Sequence, residues 1–228
     1  MAAKQKKKSI GVPEPTVRRL PLYLHYLKEL QQDGKPHISA PHIARAMKYD
    51  ATKVVKDLSY TGIVGKTRVG YNVLELISVL EDFLGFNRKN EAFLIGAGRL
   101  GSALIGYPRF NEYGFKIIAA FDISPEKIGT EINGVKILNI NKFRGLAERL
   151  HISLGIITTP AEVAQQMADL MIGWGIKAIW NFTPVNIKVP ENILLQHTSI
   201  YSNLAVLLNK LHLKSKIEEE NFKNSLED

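Results

Sequence analysis

The sequence has no cysteine among its 228 residues. This excludes disulfides, thiolate metal ligands and a cysteine nucleophile, and it suits a reducing compartment. No apolar run approaches the roughly 18 residues needed to span a bilayer. The opening Met1-Ala2-Ala3-Lys4-Gln5-Lys6-Lys7-Lys8 lacks the hydrophobic centre of a signal peptide. A soluble cytoplasmic protein is expected. Proton-transfer groups are scarce as well: His151 precedes an expected strand, His197 falls in a polar loop and His212 on a terminal helix, none with a carboxylate partner in sequence. Only 47 residues follow Asn181, too few for a separate substrate domain.

The charge that is present is uneven. Residues 1–89 carry sixteen Lys and Arg against eight Asp and Glu, whereas residues 90–228 carry fourteen of each, so the whole +8 excess lies in the first part. A polyanion-binding segment joined to a neutral one is the expectation.

In the basic part, Thr16 is read as an N-cap, after which Leu20, Tyr23, Leu24, Leu27 and Leu30 recur at helical spacing until Asp33-Gly34. Pro21 is read as close enough to the start to be tolerated. Ser39-Ala40-Pro41 opens a short helix. Asp50 caps a third, from Ala51 to about Tyr60, which Gly62 ends. Two short helices on a tight turn suggest helix-turn-helix. In the third helix Val54, Val55 and Leu58 are expected to face the core, leaving Thr52, Lys56 and Tyr60 outward, with Lys53 and Ser59 as further candidate DNA contacts. Val64 to Tyr71 reads as a glycine-hinged wing offering Lys66, Arg68 and Tyr71 to DNA. The alternative is that these lysines only solvate a small helical domain.

A helix capped by Asn72 leads through a linker, Asn87-Arg88-Lys89-Asn90, into alternating apolar strands and helices. The strands are Phe93 to Ile95, Ile117 to Phe121, Ile152 to Thr158 and Ile176 to Asn181. That alternation predicts a doubly wound parallel sheet. Its first turn reads Gly96-Ala97-Gly98-Arg99-Leu100-Gly101. Gly96 permits a tight bend, Gly98 a close approach to a pyrophosphate and Gly101 close helix–strand packing. Asp122 ends the next strand, twenty-one residues beyond Gly101, where a carboxylate would accept both ribose hydroxyls and repel a 2′-phosphate. NAD(H) is thus expected over NADP(H), with Ile123 and Lys127 beside the ribose, although the Lys127 charge works the other way.

Over almost its whole length the chain resembles the Rex family of redox-sensing transcriptional repressors. The resemblance is carried by Arg18-Arg19-Leu20-Pro21-Leu22-Tyr23, Asp57-Leu58-Ser59-Tyr60, Val69-Gly70-Tyr71-Asn72-Val73, the glycine turn, Ala119-Ala120-Phe121-Asp122, Pro125-Glu126-Lys127-Ile128-Gly129 and Asn181-Phe182-Thr183-Pro184-Val185. It implies a homodimer with N-terminal winged helices, Rossmann domains that bind NAD(H), and a C-terminal helix exchanged between subunits. It also implies a palindromic operator that NADH releases. By motif, Gly96, Ala97, Gly98, Arg99, Leu100 and Gly101 would meet the phosphates. Thr158, Thr159, Pro160, Phe182, Thr183 and Pro184 would border the nicotinamide half. Tyr107 matches a tyrosine that moves with cofactor state, and Arg19 its partner.

The resulting organisation is a basic tail (1–15), a winged-helix domain (16–86), a Rossmann NAD(H)-binding domain (90–196), a C-terminal swapped helix (197–214) and an acidic tail (215–228). The exchanged helix is expected from Asn203 to about Leu213. Three departures from the family pattern stand out: Val55-Lys56 replaces two adjacent basic residues, Arg68 is shifted by one position in the wing, and Asn203 stands where an aspartate is usual. Other functions remain open at this point: an NAD-dependent oxidoreductase with a basic accessory domain, a coenzyme A-binding regulatory module, or a structural nucleoid protein.

Overall fold

The computed structural model describes residues 11–224, so the Lys-rich opening and the end of the acidic tail lie outside it. The described chain forms two compact units. One runs to Asn90 and takes in Asn111–Gly114; the other comprises Glu91–Phe110 and the chain from Phe115 onward.

The first unit opens with α1 (Glu14–Gln32), which starts earlier than Thr16 because Pro13 and Pro15 pre-set the first turn and Glu14 favours the positive end of the helix. Thr16 is therefore not a cap. It is buried, and its hydroxyl donates to Asp57 at 2.9 Å. Pro21 in turn lies two turns inside the helix, which runs on through it although the Val17 carbonyl loses its usual N–H partner. β1 (His37–Ile38) pairs antiparallel with β2 (Tyr71–Asn72). Between them stand α2 (Ala40–Met47) and α3 (Ala51–Ser59), joined by a turn in which Lys48 is left-handed. Asp50 caps α3 through the Thr52 amide, and Asn72 caps α4 (Val73–Leu84) through that of Glu75. Leu20, Tyr23, Leu24 and Leu27 of α1 meet Ile43, Val54, Leu58, Leu76 and Leu80 in one core.

The second unit is a seven-stranded sheet of order β5-β6-β4-β3-β7-β8-β9. It contains β3 (Asn90–Ile95), β4 (Phe115–Asp122), β5 (Glu131–Ile132), β6 (Val135–Asn139), β7 (Leu154–Ile157), β8 (Ala178–Asn181) and β9 (Leu194–His197). β3–β7, β4–β6, β7–β8 and β8–β9 pair in parallel, while β5 folds back antiparallel on β6. Helices α5 (Arg99–Ile105), α6 (Arg109–Glu112), α7 (Phe143–Leu150) and α8 (Ala161–Gly173) connect the strands. On β3, Phe93 and Ile95 enter one apolar cluster, Ala92 and Leu94 another, so both faces of the sheet are covered. Strand order reverses on either side of β3, which opens a crevice at the carboxyl ends of the strands. The expected fold class is found.

Two expectations shift. His197 ends β9 rather than lying in a loop. The last helix, α9 (Ile200–Asn224), is longer than expected and exposes Leu204, Leu207, Leu208 and Leu211. No described helix is long and apolar enough to cross a membrane.

Candidate functional site

The glycines of the β3–α5 turn have different physical causes. Gly96 has φ +100°, and a Cβ there would stand 2.8 Å from the Thr158 carbonyl carbon; at Gly101 it would stand 2.1 Å from the Gly96 oxygen. The protein's own packing demands both. Gly98 is otherwise: its φ is −77°, open to any residue, and a Cβ would meet nothing within 4 Å. Its missing side chain keeps space clear above the turn rather than avoiding a clash.

Asp122, at the end of β4, braces this turn. Its carboxylate accepts the Ala97 amide at 2.9 Å, the Ile123 amide at 2.8 Å and the Ser124 amide at 2.9 Å, with the Lys127 ammonium 3.3 Å away. Burial pushes its pKa up, but the Ser124 amide, Lys127 and the Ile123 amide outweigh burial and hold it below the ordinary carboxylate range.

Along the strand ends runs a cavity of about 790 Å³. Gly96, Gly98, Asp122, Ile123 and Lys127 line one side, Thr158, Thr159 and Pro160 another. A second cavity, of about 310 Å³, shares Thr158 and Thr159 with the first and continues past Leu100 to Phe182, Thr183 and Pro184. Ala97, Arg99 and Gly101 lie in the turn without lining either space: Ala97 and Gly101 are buried, Arg99 exposed. The Thr159 hydroxyl, where the cavities meet, is buried with no hydrogen-bond partner among the described residues. Such a group costs about 1–3 kcal/mol unless something pairs with it. An elongated ligand with a polar group at the middle would fit.

The sequence did not point to several wall residues. Ile140, Asn141 and Trp174 flank the first cavity, and Val163, Met167 and Leu170 of α8 line its floor. Ser199, Ile200 and Tyr201, at the start of α9, close the second. Asn181 is fully buried beneath it: its oxygen accepts the Thr183 amide and hydroxyl, and its nitrogen lies 3.1 Å from His197 Nδ1.

In the first unit, Thr52, Lys53, Lys56 and Ser59 are exposed on α3, with Tyr60 half-buried at its end. Lys53 lies over the Tyr49 ring, 5.8 Å from its centroid. Val55 does not join the core; it is exposed, and Asp57 is buried instead. The Asp57 carboxylate accepts Thr16, both Arg19 donors at 2.6 and 2.7 Å, and Tyr23 at 2.8 Å. Arg19 is thereby tied to α3. The wing closes through mutual hydrogen bonds of Lys66 and Gly70, with Lys66 and Arg68 exposed. Arg68 sits at φ +64°, the third position of a turn where glycine is usual. Tyr71 is not on the surface expected of a DNA contact: it is buried, its ring lies beneath Gly65, and burial raises its pKa. Tyr107 is exposed with its ring 5.0 Å from Phe110, and Asn203 is exposed on α9.

Two families match the chain: "Putative DNA-binding protein N-terminus" over residues 11–59 and "CoA binding domain" over residues 87–185. A redox-sensing transcriptional repressor Rex of Bacteroides fragilis is 47% identical over 91% of this chain and 94% of its own length. The Rex of Bacillus licheniformis is 39% identical over 86% and 92%. Among solved structures, RSP in complex with NAD⁺ and operator DNA superposes with a TM-score of 0.85 at 34% identity, over 93% of this chain and 99% of that one. RSP with NADH gives 0.81 at 32% identity, over 93% and 99%.

Proposed function

The chain belongs to the Rex family of redox-sensing transcriptional repressors, and from that premise we propose that its joined cavities take NAD(H) while α3 and the wing hold a palindromic operator as part of a cytoplasmic homodimer. The observation that carries this reading is the pair of cavities meeting at the Thr159 hydroxyl, which has no partner among the described residues, reached over the open space at Gly98. Gly98, Leu100 and the first turn of α5 would carry the phosphates. Of the four donors on Asp122, only Lys127 is a flexible side chain, so it is the one that ribose hydroxyls would displace. Thr159, Phe182, Thr183 and Pro184 would surround the nicotinamide.

The bound coenzyme supplies a redox-dependent shape and charge, since the oxidised ring is planar and cationic and the reduced one is neither. Only unequal binding of the two forms can shift a conformational equilibrium; a tenfold difference supplies about 1.4 kcal/mol per site. The route out is short. Ile200 and Tyr201 form a cavity wall and the first turn of α9 at once, so they are the residues that would pass a change of bound ring to the base of that helix. The exposed leucines of α9 would pack on a second subunit and carry the displacement across the dimer.

Catalysis is not part of this reading. His197 is bound to the amide of Asn181, which neither gives nor takes a proton near neutral pH, so the pair is no acid–base dyad. The match to a coenzyme A-binding family raises a second ligand, but the Asp122 carboxylate disfavours a phosphorylated ribose.

The test is fluorescence anisotropy on a labelled duplex that the protein itself selects from random sequence, titrated at fixed salt with NADH, NAD⁺, NADPH or coenzyme A. NADH is expected to weaken DNA binding at least tenfold and NAD⁺ not to. A complex that survives saturating NADH would overturn the proposal, and release by coenzyme A alone would replace it.

A further inference from the structure

We propose that Val55 is a base-reading residue that recognises the 5-methyl group of a thymine in the major groove, an inference resting on the reading of α3 as the helix that enters DNA. The outward face of α3 is defined by what it buries, namely Val54, Asp57 and Leu58. This leaves Thr52, Val55, Lys56 and Ser59, spaced i, i+3, i+4 and i+7, on one exposed stripe. The stripe's hydroxyl groups are committed locally: Thr52 bonds the Asp50 carboxylate and Ser59 the Lys56 carbonyl. Lys56 is a point charge suited to a phosphate or a guanine. Val55, at the middle of the stripe, is 48% exposed and borders a groove of about 590 Å³ that also takes in Lys66, Arg68 and Val69 of the wing.

Two methyl groups at the centre of a reading face, flanked by cations, offer nothing to a hydrogen-bonding base edge. The apolar group that the major groove presents is the thymine methyl. A β-branched side chain on a helix holds nearly one rotamer, so its methyls stand at a fixed place rather than sweeping the groove. Val55 thus favours thymine over cytosine at one position of each half-site.

The experiment uses the full chain and the duplex it selects from random sequence. Each thymine of a half-site is replaced in turn by deoxyuridine, which removes the methyl group alone, and affinities are measured for the wild type and for Val55→Ala. Covering one methyl is worth about fourfold in affinity. One thymine is expected whose replacement weakens the wild type by about that factor per half-site while Val55→Ala is indifferent to it. Equal deoxyuridine penalties in both proteins at every position would overturn the inference and leave DNA binding intact. Failure to select any duplex would overturn the reading of α3 itself, and this inference with it. Val55 is half-exposed and outside the core, so its substitution leaves the fold in place.

Discussion

Asp57 collects four hydrogen bonds on one buried carboxylate, from Thr16, twice from Arg19 and from Tyr23, and so fastens α1 to the last turn of α3. Burial alone would raise its pKa, but the bonds from Arg19, Tyr23 and Thr16 prevail and hold it below the ordinary carboxylate range. Burial, and after it the bond to Asp57, pushes the Tyr23 hydroxyl upward, and the bond to Asp57 raises the Arg19 guanidinium. For a carboxylate with a depressed folded pKa, the stabilising contribution is present above about pH 4, the unfolded value, and is lost as pH falls through the folded one. Asp57→Ala leaves the half-buried Arg19 guanidinium and the buried Thr16 and Tyr23 hydroxyls without their acceptor and is expected to cost about 3 kcal/mol. Urea unfolding followed by circular dichroism would read this as a lower midpoint at pH 7, with the difference from wild type shrinking as both are taken below pH 4. An unchanged midpoint at pH 7 would remove the network from the account of how α3 is held.

At the scale of elements, α9 is the outlier, because its leucines 204, 207, 208 and 211 recur on one stripe and are all about half-exposed or more. Burying a leucine is worth about 1.5–3 kcal/mol, so a second subunit would gain much by covering them. Leu207→Lys with Leu211→Lys is expected to raise the dimer dissociation constant more than a hundredfold in sedimentation velocity while leaving the circular dichroism spectrum unchanged. The apolar rhythm that marks α9 also made most other elements legible. β3, β4, β7 and β8 are short apolar runs between turn residues, and α4 announces itself through Asn72 and its leucines. β9 was not legible, since Leu194-Leu195-Gln196-His197 is a half-polar edge strand whose place is set by pairing with β8. The site divides similarly. Gly96, Gly98, Gly101 and Asp122 are visible because chemistry and backbone restrict them, whereas Val163, Met167 and Leu170 of α8 carry the same periodicity whether they face a core or a cavity. Val55 was expected in the core and is exposed, with Asp57 buried instead, because a carboxylate with four donors is buried more cheaply than helical spacing implies.

The whole molecule consists of two units with separate apolar cores and separate surface chemistry, one basic and one wrapped around a cavity. A lesion in the cavity should therefore cancel sensing without weakening the grip on DNA. Gly98→Val is the sharpest such lesion. The φ of −77° and ψ of −168° at Gly98 are available to valine, and the new Cβ meets no protein atom within 4 Å, so stability should change by no more than about 0.5 kcal/mol. The side chain would instead occupy the space over the turn that a pyrophosphate needs. NADH affinity, measured by quenching of Trp174 and Trp180 fluorescence, is expected to fall more than tenfold. Operator affinity without nucleotide should equal that of the wild type, and so should its dependence on salt. If Lys56, Lys66 and Arg68 of each subunit neutralise one phosphate apiece, log affinity should fall against log salt with a slope of about −5 in both proteins. NADH at concentrations that strip the wild type from DNA would then leave Gly98→Val bound, giving a repressor blind to redox state. A Gly98→Val protein that still lets go of DNA on adding NADH would place the coenzyme somewhere other than above this turn.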